Sequence, residues 1–391
     1  MKMKLDKNKV WLFFLLFPFL CPRGFFEIYP IYKTMMTLWL LFTMVGMIFI
    51  YVYRLAKKKV IMDIRLIYIL LYFGILIIET LIIQKSIGEG LQKMFVTPAL
   101  FMFMIVSFDK FGEKIIDVMS DILLINLLLF CSFFNPINFQ RMFDVPEQIC
   151  FLGHIQVCTE MALLCLGLAV IIINKSRKKA RLMMFLAIVT MFLATTDAGL
   201  VILAFLSMMY ILYTLGLKKR VVNLSQQKIF IAGTVLEGIM LLVVLYFRID
   251  FGARYFVYLD GISKLNGHMV SGYGAYGVLI KTFWHDWENS NGMNYAHNEV
   301  LQLLLDGGII LLVAYIAMCI VLLRNRQQGV TKNVAYWFNA FLIAFLAVGI
   351  CESLTEYNYF YIFLIINLFL PSILNRSGEY DYKKSMINGV R

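Results

Sequence analysis

The amino-acid sequence predicts an all-α integral membrane protein, a bundle of about twelve transmembrane helices in a single domain over residues 1–391. Hydrophobic residues make up 61% of the chain and its mean hydropathy is +0.79. This composition leaves too little polar surface to cover a soluble globule of that length. Apolar runs long enough to cross a bilayer recur along the chain, and basic residues cluster between them.

Twelve apolar segments are bounded by charged or turn residues. They cover residues 10–26, 33–53, 61–83, 94–108, 115–134, 151–173, 181–195, 197–215, 228–247, 298–323, 333–353 and 358–374. The first segment contains Pro18 and is interrupted by Pro22, so it is expected to be broken or re-entrant. It lacks the small-residue cleavage site of a signal peptide, so we expect an uncleaved anchor.

The distribution of basic residues predicts the orientation of the chain. With a cytoplasmic N-terminus, 27 of the 36 Lys and Arg residues fall in inner segments and 9 in outer segments. This bias follows the positive-inside rule and predicts an even number of spans with both termini in the cytoplasm. It also accounts for the net charge of +12, so we expect the lipid bilayer as a partner and no nucleic acid.

One predicted outer loop, residues 248–296 between the ninth and tenth segments, is much longer than most of the other connections. Loops of that length are uncommon unless they are functional. Three of the four histidines, His268, His285 and His297, lie in this loop or at its edge, together with Arg248 and Arg254. The loop is therefore the first candidate region for chemistry.

A glycine cluster in this loop, GYGAYG, has the GxGxxG spacing of dinucleotide-binding proteins at Gly272, Gly274 and Gly277. That fingerprint works between the strand and the helix of a βαβ unit, which is not predicted here. We interpret it as a bend that folds the loop back to the membrane, and we expect no cofactor. Trp284 and Trp287 are interpreted as interfacial anchors rather than as sugar-stacking residues.

Polar residues at the start of the tenth segment follow helical spacing. Asn298, Gln302 and Asp306 stand at i, i+4 and i+8, and Glu299 is adjacent to this stripe. Over about 12 Å of helix such a stripe cannot face lipid cheaply, so it is predicted to face protein or a water-filled cavity. His297 would lie at the helix start, where N–H groups favour an anion. Alternatively, Asn298 is simply an N-cap and His297 an exposed loop residue.

Other ionisable residues and the cysteines are weaker candidates for a functional role. Six ionisable residues within apolar segments are expected to face the bundle interior or an interface: Glu79, His154, Glu160, Glu237, Glu352 and Glu356. The seven cysteines form no CxxC pair and lie mostly in apolar segments. We interpret them as small hydrophobic residues rather than as disulfides or metal ligands.

Two stretches carry a family resemblance: GARYFVYLDGISKLNGHMVSGYGAYG at 252–277 and AHNEVLQLLLDGGIILL at 296–312. Together they resemble the signature region of the bacterial O-antigen ligase and polymerase family. The likeness consists of an arginine that opens a short amphipathic helix, a glycine-rich turn, and HN-x-x-LQ-x-x-x-x-GG at the next helix start. One departure is ATTDAGL, where Asp197 stands in place of an arginine that members often carry.

The resemblance implies an enzyme in the cytoplasmic membrane of a bacterium. It would join undecaprenyl-pyrophosphate-linked oligosaccharide repeats into a capsule, exopolysaccharide or O-antigen chain on the outer face, as a glycosyltransferase without metal. A repeat-unit flippase and a chain-length regulator are further candidate partners. Two alternatives stay open: a ligase of the same family that moves the polysaccharide to another acceptor, and a twelve-helix secondary transporter.

The resemblance also suggests roles for individual residues. His297, or alternatively Glu299, would accept the proton of the attacking sugar hydroxyl. Arg254, with Arg248 nearby, would compensate the charge of the leaving pyrophosphate. The candidate substrate-binding residues are Arg248, His268, Asn298 and Gln302.

Overall fold

The computed structural model describes residues 6–57, 64–83, 92–249, 254–280, 295–324 and 330–374. In these residues the chain is almost entirely helical, and the one sheet is a two-stranded antiparallel hairpin. The all-α architecture predicted from composition is therefore confirmed. The predictions for His285, Trp284 and Trp287 fall outside the described residues.

The described residues in the first half of the chain form seven α-helices, one π-helical turn and the hairpin. These elements are α1 (Lys7–Leu20), α2 (Phe25–Ile28), α3 (Pro30–Ala56), α4 (Ile64–Ile83), the π-helical turn Gln92–Val96, α5 (Thr97–Ser132), α6 (Pro136–Phe143), β1 (Ile149–Cys150), β2 (Gly153–His154) and α7 (Val157–Ile172). Helix α1 ends shortly before Pro22, and α2 follows after a short break. The predicted interruption of the first apolar segment is confirmed.

The second half contains eight described α-helices. They are α8 (Arg177–Leu193), α9 (Asp197–Thr214), α10 (Lys218–Val222), α11 (Gln226–Phe247), α12 (Arg254–Lys264), α13 (Glu299–Leu322), α14 (Lys332–Gly349) and α15 (Tyr359–Leu374). Every one of the twelve predicted segments overlaps a described helix, and segments 94–108 and 115–134 both lie in α5.

Seven apolar helical stretches of the described residues are long enough to cross a membrane. They are Pro30–Ala56, Ile64–Ile83, Phe111–Ser132, Asp197–Thr214, Gln226–Phe247, Glu299–Leu322 and Lys332–Gly349, and three shorter apolar helices are Lys93–Ile105, Val157–Ile172 and Asn358–Leu374. The chain is therefore a multi-pass membrane protein in its architecture. The count of twelve spans stays a prediction.

Helix α7 forms the centre of the bundle, because all of its residues are buried. A helix that is apolar on every side belongs in such a position. Beyond its C-terminal end, Lys175 and Lys179 pair with Asp117 and Asp121 of α5 at N–O distances of 2.6 and 2.5 Å. Lys9 of α1 also pairs with Asp117, at 2.9 Å. Three segments predicted to be cytoplasmic thus meet at one end of the bundle.

The segment that was predicted to form the long outer loop contains secondary structure in its described residues. Helix α12 fills its first part, and a turn at 268–273 then packs against α13, which is broken at Gly307 and Gly308. The Tyr273 N–H donates to Leu305 O at 2.8 Å, and the Ile309 N–H donates to Met269 O at 2.9 Å. The turn therefore supplies hydrogen-bond partners to backbone groups at the break in α13. Such groups need partners, because the interrupted helix no longer pairs them.

A glycine in the turn makes this close packing of two backbones possible. Gly272 has φ of +59°, and a Cβ there would lie 2.5 Å from the Gly307 nitrogen. Only glycine combines that conformation with that approach. The predicted bend at the glycine cluster is confirmed in the sense that the loop folds back onto a membrane helix.

Candidate active site

The segment between α14 and α15, residues 350–358, holds the candidate site together. Its side chains reach residues that are far away in the sequence: Glu352 binds His297, Ser353 binds Glu299, and Glu356 binds Lys93. We call it the α14–α15 segment. Its position between two buried helices brings three distant parts of the chain to one place.

The carboxylate of Glu352 is the centre of a first group, which we call the histidine cluster: Glu352, His297, Arg254 and Tyr295. His297 Nδ1 lies 3.0 Å from Oε2, and the Tyr295 hydroxyl donates to the same oxygen at 2.7 Å. Arg254 Nη2 donates to Oε1 at 3.0 Å, and Arg254 Nε donates to Cys351 O at 3.3 Å. Glu352 is 2% exposed, so these donors replace the water that a buried carboxylate loses.

The electrostatics favour an ionised carboxylate at the centre of the histidine cluster. Burial by itself would raise the pKa of Glu352, but the hydrogen bond and charge of His297, with the charge of Arg254, hold it below its usual value. Burial disfavours the charge of Arg254, yet Glu352 raises its pKa overall. Burial and the adjacent Glu352 charge raise the pKa of Tyr295 well above its usual value, so Tyr295 stays a neutral donor.

His297 occupies a constrained backbone position directly before α13. Its φ is +52°, in the left-handed region that residues other than glycine rarely adopt, and its carbonyl accepts a hydrogen bond from the Tyr258 hydroxyl at 2.9 Å. The residue is 4% exposed. The alternative of an exposed loop residue is therefore wrong for His297, because packing against Tyr258 and Glu352 buries it.

Asn298 is the N-cap of α13, as the structural alternative predicted. Its Oδ1 accepts from the Leu301 N–H at 2.9 Å, and its Nδ2 donates to Ile350 O at 3.2 Å. Both ends of the side-chain amide thus bind backbone groups, one in α13 and one at the start of the α14–α15 segment. This geometry gives Asn298 a structural role in fixing the helix start beside His297.

Glu299 lies next to the histidine cluster and is 1% exposed. Its Oε2 accepts hydrogen bonds from the Ser353 hydroxyl at 2.8 Å and from the Thr355 N–H at 3.1 Å. Within the described residues its Oε1 has no hydrogen-bond partner. Glu299 therefore anchors the α14–α15 segment to α13 and keeps one carboxylate oxygen available.

A second group, which we call the lysine cluster, lies further along α13: Lys93, Asp306, Glu356, Tyr276 and Gln302. Lys93 Nζ lies 3.0 Å from Asp306 and 3.4 Å from Glu356, and 4.1 Å from the centre of the Tyr276 ring. Gln302 Nε2 donates to Asp306 at 2.9 Å, and the Tyr276 hydroxyl donates to Glu356 at 2.6 Å. The predicted polar stripe on α13 thus faces protein, which confirms that prediction.

Two predicted substrate-binding residues lie outside both clusters. Arg248 is exposed at the C-terminal end of α11, and no contact with the histidine cluster is seen in the described part of the chain. His268 belongs to the turn against α13, where its Nδ1 lies 3.2 Å from Gly272 O and its ring stacks on Tyr273 at 4.1 Å. Arg248 and His268 therefore do not share the surroundings of His297 and Arg254, with which they were predicted to act.

Several residues of the site received a low rank or no role in the sequence analysis. Glu352 and Glu356 were ranked low, and Tyr295 and Lys93 were given no role. The available signal was the motif ESLTEYN at 352–358, which places two carboxylates and three hydroxyl groups between two apolar segments. Six residues, Glu79, His154, Glu160, Glu237, Glu352 and Glu356, are buried or half-buried, as expected for interior positions.

An apolar groove lies between α11 and α14, and one of its lining residues, Ile350, belongs to the α14–α15 segment. It has a volume of about 450 Å³ and is lined by Leu224, Ala232, Leu236, Leu346 and Ile350, among others. Ile350 begins the α14–α15 segment, and its carbonyl accepts hydrogen bonds from Tyr258 and Asn298. The groove therefore ends beside the histidine cluster.

A metal site is not evident in the described residues, where no group of three or more His, Cys, Asp or Glu side chains is arranged to hold an ion. Compared with models of known protein families and with curated proteins, the chain matches none. A functional interpretation consequently depends on the geometry of the two clusters and on the motif resemblance.

Proposed function

We propose that this chain is a membrane polysaccharide polymerase that joins oligosaccharide repeats carried on a polyprenyl pyrophosphate. The observation that carries the proposal is the pair of His297 and Glu352 beside Arg254, at the end of the bundle away from the basic cluster around Lys175. The reaction needs a base for a sugar hydroxyl and a cation for a departing pyrophosphate, and these side chains provide both.

The chemistry assigned to the histidine begins with its hydrogen bond to Glu352. With Glu352 accepting from Nδ1–H, the neutral ring carries its lone pair on Nε2. Nε2 then takes the proton of the acceptor hydroxyl while that oxygen forms a bond to the anomeric carbon. The bond from the anomeric carbon to the pyrophosphate oxygen breaks, and the carrier leaves with its negative charge near Arg254.

The apolar groove supports a lipid-linked substrate. A polyprenyl tail lying between α11 and α14 would place its head group near Ile350, one residue before the Cys351 carbonyl that binds Arg254. A water-soluble sugar nucleotide would need no such groove. The ligase alternative shares this chemistry and differs only in the acceptor, so the products of the reaction distinguish the two.

The proposal predicts that His297→Ala lowers polymer formation on the order of 10²-fold or more, the scale of a general base. The measurement is the chain-length distribution on a gel from cells whose polysaccharide depends on this chain, at matched membrane expression. His268→Ala serves as the comparison: this substrate-binding candidate lies in the same predicted loop but outside the histidine cluster, so a much smaller loss is expected. Wild-type ladders from His297→Ala would contradict the proposal.

A secondary transporter is the second candidate, and the break in α13 favours it. Transporters use discontinuous helices to build sites near the membrane centre, and here the break at Gly307 lies next to the buried Lys93–Asp306 pair. Purified protein in liposomes distinguishes the candidates. A polymerase lengthens lipid-linked repeats without an ion gradient, whereas a transporter leaves their length unchanged and moves a solute.

A further inference from the structure

Two cysteines stand close together near the N-terminal end of α7. Cys150 is the last residue of β1 and Cys158 is the second residue of α7, and their Sγ atoms are 3.5 Å apart. Both residues are fully buried. Among the seven cysteines, all of which lie in described parts of the chain, no other two have their sulfur atoms in contact.

The chain between these two cysteines is short and turns back on itself. Cys150 pairs with Gly153 across the hairpin, and the Ile155 N–H donates to Gln148 O at 2.9 Å. The hairpin therefore places Cys150 next to the first turn of α7. A disulfide needs Sγ atoms about 2.0 Å apart, a reduction of about 1.5 Å that rotation of the cysteine side chains can supply.

We propose that Cys150 and Cys158 form an intramolecular disulfide that tethers the β1–β2 hairpin to α7. The charge distribution of the sequence predicts that this hairpin lies on the outer side of the membrane, where disulfides persist. This assigns a covalent role to two of the cysteines that the sequence analysis interpreted as small hydrophobic residues.

The oxidation follows thiol–disulfide exchange with an exported protein or small molecule that carries a disulfide. Cys150, on the hairpin, attacks as the thiolate before the hairpin packs against α7 and buries both sulfur atoms. It forms a mixed disulfide, and one thiolate of the oxidant leaves. Cys158 then loses its proton and attacks the Cys150 sulfur, releasing the second thiolate. Two electrons pass to the oxidant, which becomes a dithiol.

The tether would fix one side of the candidate site. The hairpin carbonyls of Phe151 and Leu152 accept hydrogen bonds from the Gly24 and Arg23 N–H groups, which follow α1. His154 ends the hairpin, and burial lowers its pKa, an effect that the nearby charge of Glu352 opposes. A covalent link from Cys150 to α7 would therefore hold the hairpin, and with it His154, next to the histidine cluster.

Thiol counting on the full-length protein tests the proposal. Cells are quenched with acid, the protein is denatured, and accessible thiols are labelled with a maleimide polymer that shifts mobility on a gel. Of the seven cysteines, we expect all except Cys150 and Cys158 to be labelled without reductant, and all seven after reduction. Labelling of all seven before reduction would overturn the proposal.

Single variants identify the pair. In Cys150→Ser and in Cys158→Ser the partner thiol becomes accessible, so reduction should add no further label. Cys165→Ser is the matched control: Cys165 lies in the same helix as Cys158 but its sulfur faces the Met183 carbonyl, so the shift upon reduction should persist. A persisting shift in both Cys150→Ser and Cys158→Ser would show another pairing and would overturn the assignment. The result is independent of whether the chain is a polymerase.

Discussion

The histidine cluster and the lysine cluster are both built on α13 and on the α14–α15 segment, but their charges are arranged differently. Both lie against the first half of α13, and both receive a carboxylate from the α14–α15 segment, Glu352 in one and Glu356 in the other. In the histidine cluster three donors converge on one carboxylate. In the lysine cluster one ammonium group is shared by two carboxylates, those of Glu356 and Asp306.

This difference is the basis for proposing different roles for the two clusters. The Glu352 contact at Nδ1 of His297 orients the ring and fixes its tautomer, so the second ring nitrogen carries the lone pair. The lysine cluster contains full opposite charges and no histidine, and it joins the π-helical turn and the loop residue Tyr276 to α13. We infer that the first cluster performs chemistry and that the second holds the broken helix in place.

The largest expected effect tests the structural role of the lysine cluster. Lys93→Met leaves the buried Asp306 and the partly buried Glu356 without their cation, which costs about 3–5 kcal/mol of folding stability. Thermal unfolding of the detergent-solubilised protein measures this loss. Lys93→Met combined with Asp306→Asn should recover part of the stability, since it also removes one unpaired charge. An unchanged unfolding temperature for Lys93→Met would contradict the role.

The next effect tests the chemical role of the histidine cluster. Glu352→Gln keeps the shape of the side chain but removes the charge that orients His297, so polymer formation should fall about 10²-fold, equivalent to about 2.7 kcal/mol in the transition state. Because Glu352→Gln also removes the charged partner of Arg254, activity is compared at a matched amount of folded protein. The control is Glu356→Gln, at the equivalent position of the lysine cluster; equal activity losses in both variants would remove the distinction between the clusters.

The smallest expected effect concerns the helix start that the histidine cluster shares with α13. Asn298→Ala removes the N-cap of α13 and should lower stability by about 1 kcal/mol. Asn298→Asp should recover only part of that stability, because aspartate keeps the cap to the Leu301 N–H but cannot donate to Ile350 O. Thermal unfolding separates these outcomes. A loss of activity in Asn298→Asp without a loss of stability would instead indicate that the amide contacts substrate.

The sequence predicted the helical segments well because the bilayer imposes a simple rule on them. An apolar run such as 358–374 must form a helix, since only a helix satisfies its backbone hydrogen bonds in lipid. The sequence also predicted that Gln302 and Asp306 face the inside of the bundle, because polar groups that face lipid are energetically costly. The N-cap at Asn298 depends on a hydrogen bond between two residues that are only three positions apart. All of these features depend on local sequence.

The candidate site itself was decided by tertiary structure. The sequence identified His297 and Arg254, but their common partner Glu352 follows them by 55 and 98 residues. Lys93 and Asp306 are 213 residues apart. A hydrophobic pattern specifies that a carboxylate faces inward but not which cation it meets, because that contact depends on how the helices pack. The partner of each buried charge is therefore a property of the folded bundle.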